Sequence, residues 1–220
     1  MIAAVFVILG FSGQFLIILN YLAHAYLSFG QAEILVGNMI SDFVKGKKKF
    51  NFTDTVQKGI VLHRAIDEFT DKHPVTLEAK KFFKPAYGLY AGAFMDIVYD
   101  HFLANDPHEF EREEDLKAFS QGVYQQISHY QHDLPERFQQ VFHYMHEQDW
   151  LYHYRFMQPI FNSFRGLVRR AKFIDEYQPA CLVLEEHYTA LNFFYAEFFP
   201  DLKNFAHSKW TDLNPSTRRT

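Results

Sequence analysis

Residues 91–103 read AGAFMDIVYDHFL, a run apolar enough to be buried along its whole length, yet it carries two aspartates and a histidine. Residues four apart lie on one helix face. Asp96 and Asp100 therefore point the same way, with His101 beside them. Carboxylates inside an apolar helix are costly unless something pairs with them, and two so close repel each other unless protonated or neutralised. A second segment, LHRAIDEFTD, repeats the device by placing His63, Asp67 and Asp71 at four-residue spacing. Any fold for this chain must bring partners to these groups. A divalent metal is a common partner for Asp and His converging from separate helices.

Elsewhere no stretch sustains the alternation of a strand, and the rest reads as helices with short breaks. NYLAHAYLSF is apolar around His24 and is broken at Gly30. QAEILVGNMISDFVKG is helical by period up to Gly46. Thr53 or Asp54 caps a helix through His63 to about His73, and Pro74 follows its end. The aspartate helix is expected over residues 88–104. Leu116, Phe119, Val123, Ile127 and Tyr130 form a helical stripe, and Pro135 starts another helix. A long aromatic helix, LVLEEHYTALNFFYAEFF, is expected to end at Pro200. These elements predict an all-α, irregular helical bundle. With 220 residues, 25 Phe and 13 Tyr, one thick core is expected. It spans residues 20–205, followed by a polar tail over 206–220.

A formal net charge of −4 gives nothing that favours nucleic acid. No phosphate-gripping G-x-x-x-x-G-K-[ST], G-x-G-x-x-G or G-x-S-x-G motif is present. Cys181 is the one cysteine, so a disulfide framework is excluded and a reducing cytoplasm is allowed. Against the acidic balance, Lys45, Lys47, Lys48 and Lys49 cluster just after Asp42. They form either a solvated helix end or a patch that steers an acidic partner.

Each polar residue also has a bland reading. His24 alone would be a hydrogen-bonded core histidine. Asp42 could be satisfied by Lys45 or Arg64, Asp67 could pair with Arg64, and Asp71 reads as a solvated charge near a helix end. From spacing alone, a metal site and a structural ion-pair network both stand. A mixed His/Asp set suits Mn, Mg, Fe or Zn without choosing among them, and hydrolysis is the usual task of such a site.

Four ordered segments carry a family resemblance: NYLAHAYLS, GNMISDFVKG, GIVLHRAIDEFTD and MDIVYDHFLA. They resemble those of the acyl carrier protein phosphodiesterases, and so do DWLYHYRFMQPI and LEEHYTALNFFYAEFFP further on. The likeness covers roughly residues 20–200. It implies a helical fold distantly similar to the HD-type metal phosphohydrolases. It also implies removal of the 4′-phosphopantetheine arm from holo acyl carrier protein, with Mn²⁺ as the associated metal and Mg²⁺ or another divalent ion as substitute. Carried over position by position, it supplies His24, Asp42, His63, Asp67, Asp96 and Asp100 as metal-site residues. Asp42, Arg64 and His101 become catalytic candidates, with Arg64 neutralising a phosphate oxygen and His101 protonating the leaving serine. The lysine run would dock the acidic carrier. Two other readings stand beside this one: an HD-like phosphohydrolase of small nucleotides, and a non-catalytic helical binding protein whose buried Asp and His form ion pairs.

Residues 1–19, MIAAVFVILGFSGQFLIIL, form a charge-free apolar stretch. It lacks the basic start and small-residue cleavage site of a signal peptide. It is marginal in length for a membrane span and is interrupted by Ser12, Gly13 and Gln14. Members of the resembled family begin with Met directly before the Asn, where this chain has Leu19. A leucine codon can serve as a start, so the natural chain is expected to begin at residue 19 and work in the cytoplasm. An anchor to the inner membrane is the alternative.

Overall fold

The computed structural model describes residues 20–214, and no strand occurs among them. Twelve α-helices follow one another: α1 (Tyr21–Tyr26), α2 (Ala32–Ile40), α3 (Asp54–Lys72), α4 (Pro74–Ala79), α5 (Lys84–Tyr87), α6 (Ala91–Ala104), α7 (Glu113–Ser128), α8 (Glu136–Glu147), α9 (Trp150–His153), α10 (Met157–Arg170), α11 (Gln178–Glu186) and α12 (Tyr188–Leu213). Short 3-10 turns, among them Ser41–Phe43 and Gly46–Asn51, link some of them. The all-α expectation holds. The apolar stretch 1–19 lies outside the described residues, and no helix among those described is long and apolar enough to cross a membrane.

Helix α3 forms for local reasons. The Thr53 hydroxyl accepts a hydrogen bond from the Val56 amide at 3.2 Å, the expected N-cap. Asp54 in its first turn and Lys72 in its last complement the helix dipole. Pro74 then opens α4 at a position where no amide is needed. The inner face of α3 crosses α2 at a glycine pair. A Cβ on Gly37 would lie 2.8 Å from the Gly59 Cα and inside the envelope of the Val56 carbonyl, and a Cβ on Gly59 would lie 2.9 Å from the Gly37 Cα. The two backbones therefore touch, and only glycine fits at either position.

Helix α6 runs through the core. Phe94, Ile97, Val98 and Leu103 are completely buried, each worth roughly 1.5–3 kcal/mol in apolar burial. Helices α1, α10 and α12 pack on α6, and α12 also packs along α3.

Three boundaries differ from expectation. Helix α2 ends at Ile40, and the chain tightens into the Ser41–Phe43 turn, which carries Asp42 off the helix axis. The long aromatic segment divides at His187 into α11 and α12, and α12 continues through Pro200 to Leu213. Pro200 has no amide to donate to the preceding turn. Buried side chains on both sides of it, Tyr195, Phe198 and Phe199 before and Leu202 and Ala206 after, hold the helix together. The polar tail consequently starts later than residue 206: Ala206 is fully buried, and the Trp210 ring lies 5.9 Å from that of Phe29.

Candidate metal centre

Helix α1 contributes His24, the 3-10 turn Asp42, and α3 His63 and Asp67; Asp96 on α6 enters only through its charge interaction with Asp67. The His24 and His63 rings stack face to face, with centroids 3.9 Å apart and planes at 18°. Asp67 closes the group: one carboxylate oxygen lies 3.1 Å from His24 Nε2 and the other 3.1 Å from His63 Nε2. Asp42 Oδ1 stands 3.4 Å from the same His63 nitrogen. One ligand atom from each of His24, His63 and Asp67 falls within 4.8 Å of the others, the spread a single ion can bridge. Asp42 and Asp67 keep 27% and 24% of their side chains exposed, so the group opens to solvent on this side.

The protonation of His24 follows from its neighbours. Asn38 Nδ2 donates to the His24 carbonyl at 2.8 Å and to Ser28 Oγ at 3.1 Å, which leaves Asn38 Oδ1 to face the ring. That oxygen lies 2.8 Å from His24 Nδ1 and can only accept, so Nδ1 carries the proton and Nε2 presents a lone pair. An Asp67 carboxylate oxygen lies 3.1 Å from this nitrogen, so two acceptors stand side by side with no proton between them, a pairing that a cation would relieve. Neither His24 Nε2 nor His63 Nε2 has a hydrogen bond: the carboxylates are near but off the line of a ring N–H. Atoms that converge on a point without pairing off are what an ion-binding site provides, and a neutral imidazole oriented by an amide is its common companion.

The electrostatics agree. Burial lowers the His24 pKa and the neighbouring His63 lowers it further, against the pull of Asp67. Burial acts downward on His63 as well, but Asp42 and Asp67 outweigh it and push the pKa up to about 9. Burial alone would raise Asp67, yet the two imidazoles hold it well below the usual carboxylate range. Asp96 goes the other way: burial and then the Asp67 charge raise it well above that range, with Lys80 pulling against them. Two stacked imidazoles cannot both be charged at low cost, and their pKa values split accordingly.

Two residues of the opening motif do other work. Asp100 is fully buried, and its oxygens accept from the Leu22 and Ala23 amides, each at 2.9 Å. It caps the first turn of α1 from another helix and so sets the position of His24. The sequence reading sets Asp100 facing a metal alongside Asp96; in the fold each of its oxygens accepts one α1 amide. His101 has Nδ1 2.7 Å from the Tyr154 carbonyl and Nε2 2.9 Å from the Tyr188 hydroxyl. Its Nδ1 donates and its Nε2 accepts, and burial lowers its pKa. With both nitrogens engaged, it is not a free proton donor. Arg64 is exposed, and its Nη2 donates to the Val44 carbonyl at 2.9 Å, tying α3 to the chain after Asp42. Asp71 pairs with Lys80 at 2.6 Å, as a solvated charge would. Lys45, Lys47 and Lys48 are exposed, while Lys49 lies over the Phe50 ring at 5.1 Å. Asn38 was not among the expected site residues. Its one sequence signal is a buried amide beside a close-contact glycine, in GNMISD.

The sequence profile of the family described as acyl carrier protein phosphodiesterase matches residues 19–202. The chain belongs to that family. A relative named acyl carrier protein phosphodiesterase from Photorhabdus laumondii is 29% identical over 191 residues, covering 87% of this chain and 96% of the relative. One of the same name from an Enterobacter species is 31% identical over 191 residues, covering 87% and 99%. A third, from Salmonella agona, is 31% identical over 182 residues, covering 83% and 94%. All five residues of the candidate centre fall inside the span that the acyl carrier protein phosphodiesterase profile matches. No solved structure matches the chain. The expected likeness to HD-type phosphohydrolases therefore rests on sequence motifs alone.

Proposed function

We propose that this chain hydrolyses the phosphodiester joining 4′-phosphopantetheine to the serine oxygen of holo acyl carrier protein. Water adds at phosphorus, the bond from phosphorus to the serine oxygen breaks, and that oxygen takes a proton. The products are apo carrier and free 4′-phosphopantetheine. The observation that carries the reading is the His24 Nε2 lone pair 3.1 Å from the Asp67 carboxylate, with His63 Nε2 equally near and neither ring nitrogen hydrogen-bonded. Membership of the phosphodiesterase family supplies the substrate class.

His24, His63 and Asp67 would hold a divalent ion, Mn²⁺ by the family resemblance, with Asp42 and Asp96 at its edge. Such an ion supplies Lewis-acid activation of water and offsets negative charge at phosphorus. The protein's own residues do the rest. Asn38 holds the His24 ring in the tautomer that offers Nε2, and Asp100 holds the backbone of α1 beneath it. Asp42, partly exposed, accepts a hydrogen bond from water entering from the open side. Three residues further on, the exposed lysines offer positive charge to an acidic carrier. A cytoplasmic location fits this substrate.

The test is direct. The full chain is incubated with holo acyl carrier protein and Mn²⁺, and the carrier is followed by intact mass with and without EDTA. Loss of the phosphopantetheine mass, abolished by EDTA and by Asp42→Ala, is the expected result. An unchanged carrier mass while Mn²⁺ is bound would remove the carrier as substrate and favour a phosphohydrolase of small nucleotides.

A further inference from the structure

Arg170, the last residue of α10, buries its Nε and Nη2 without a hydrogen-bond partner for either. It makes no ion pair with a carboxylate among the described residues. These two N–H groups form one edge of the guanidinium, the edge that grips a carboxylate or phosphate through two parallel hydrogen bonds. An unpaired guanidinium held out of water is costly, and burial lowers its pKa. A fold that accepts this cost reserves the edge for something that arrives.

What lies around it shows where the edge points. The charge of Arg170 acts on the phenols of Tyr21 and Tyr154. The Tyr21 hydroxyl is itself buried and without a partner. Tyr21 also feels the Asp42 carboxylate, and α1 and α10, which carry Tyr21 and Arg170, both pack on α6. On α1, Tyr21 precedes His24 by three residues and so shares its face. Two orphaned donors, one cationic and one neutral, thus sit beside a cluster of acceptors that would hold a cation.

We propose that Arg170 and Tyr21 form an anion subsite next to the His24–His63–Asp67 cluster, donating to the non-bridging oxygens of a bound phosphate group. Taking that group to be the phosphodiester of holo carrier rests on the function proposed above. The subsite itself does not, since any phosphate of the same size would find the same donors.

The experiment uses inorganic phosphate as the probe, titrated calorimetrically into the full chain loaded with Mn²⁺. Wild type is compared with Arg170→Gln, Arg170→Lys and Tyr21→Phe. Mn²⁺ affinity, melting temperature and turnover of holo acyl carrier protein are measured on the same samples. Arg170→Gln is expected to weaken phosphate binding by roughly 10- to 100-fold, the scale of lost charge-assisted hydrogen bonds. Arg170→Lys should fall between, Tyr21→Phe should lose severalfold, and Mn²⁺ affinity should stay within about twofold of wild type. Melting temperature should not fall, since the substitution removes an uncompensated buried charge. Phosphate affinity unchanged in Arg170→Gln, or absent in wild type, would overturn the proposal. A lower melting temperature with phosphate affinity intact would reassign Arg170 to structure. Should Arg170→Gln not fold, Arg170→Lys and Tyr21→Phe carry the same comparison. Arg170-dependent phosphate binding without cleavage of holo carrier would leave the subsite standing and remove the carrier reading.

Discussion

Two buried histidine–aspartate groups look alike in the sequence and behave as opposites in the fold. Around Asp100 and His101 every polar atom is spoken for: two α1 amides, the Tyr154 carbonyl and the Tyr188 hydroxyl. Around His24, His63 and Asp67 the ring nitrogens that face the carboxylates have no hydrogen bond at all. The first group is a finished network and serves as architecture. The second is unfinished: it is held by opposite charges but leaves those ring nitrogens without hydrogen bonds, so it has donor capacity left for a ligand. Burial and residue type do not separate a structural carboxylate from a functional one; the account of its partners does.

The contrast breaks most visibly through activity. Asp67→Ala should abolish Mn²⁺ binding and lower turnover by at least about 10³-fold, the scale of losing metal assistance. Its melting temperature without metal should fall only by the share of the His63 interaction that Asp42 does not keep. Calorimetric Mn²⁺ titration and a carrier-cleavage assay check this, and retained metal binding would dissolve the difference between the two groups. Asp100→Ala should do the reverse. It leaves two buried amides unsatisfied, for a loss of about 3 kcal/mol in denaturant unfolding.

Asn38→Ala sharpens the comparison from inside the unfinished group. It removes the acceptor that fixes the His24 tautomer, so Mn²⁺ affinity should drop by roughly 10- to 100-fold while the ligands themselves remain. Next comes pH. His63 has its pKa raised from 6.5 to about 9 in the folded chain. Its contribution to the stability of the metal-free protein is therefore fully present below about pH 6.5 and is lost as pH rises through about 9. Metal needs His63 neutral, so apparent Mn²⁺ affinity should strengthen about tenfold per pH unit up to that value. Melting curves with EDTA and with Mn²⁺ should thus respond to pH in opposite directions. The smallest effect belongs to Tyr188→Phe, which removes one hydrogen bond from the finished network. A loss of about 1 kcal/mol is expected, with carrier cleavage near that of wild type.

Much of this is legible in the sequence. Thr53 and Pro74 mark the ends of α3, and four-residue spacing puts His63 and Asp67 on one face, as found. His24, Asp42 and Asp96 stand out as polar residues in apolar company. What could not be read is long-range. Asp100 meets amides 78 and 77 residues earlier in the chain, and helix periodicity carries no information about such a partner. The same holds for Asn38, whose orientation depends on Ser28 and a backbone carbonyl. Pro200 misled for a different reason: its local cost to a helix is real, but packing on both sides outweighs it.

The meeting of Gly37 and Gly59 sets a dimension of the candidate centre. Asn38 follows one glycine directly, and His63 lies one helical turn beyond the other. With backbone against backbone, the gap between α2 and α3 has no side chain to swell or shrink it. The crossing acts as a rivet: the helices cannot slide apart without opening it, and the distance from the residue that orients one imidazole to the residue that supplies the other is held by main chain alone. A single methyl group there would move the surfaces that carry Asn38 and His63 relative to each other, although neither glycine belongs to the candidate centre.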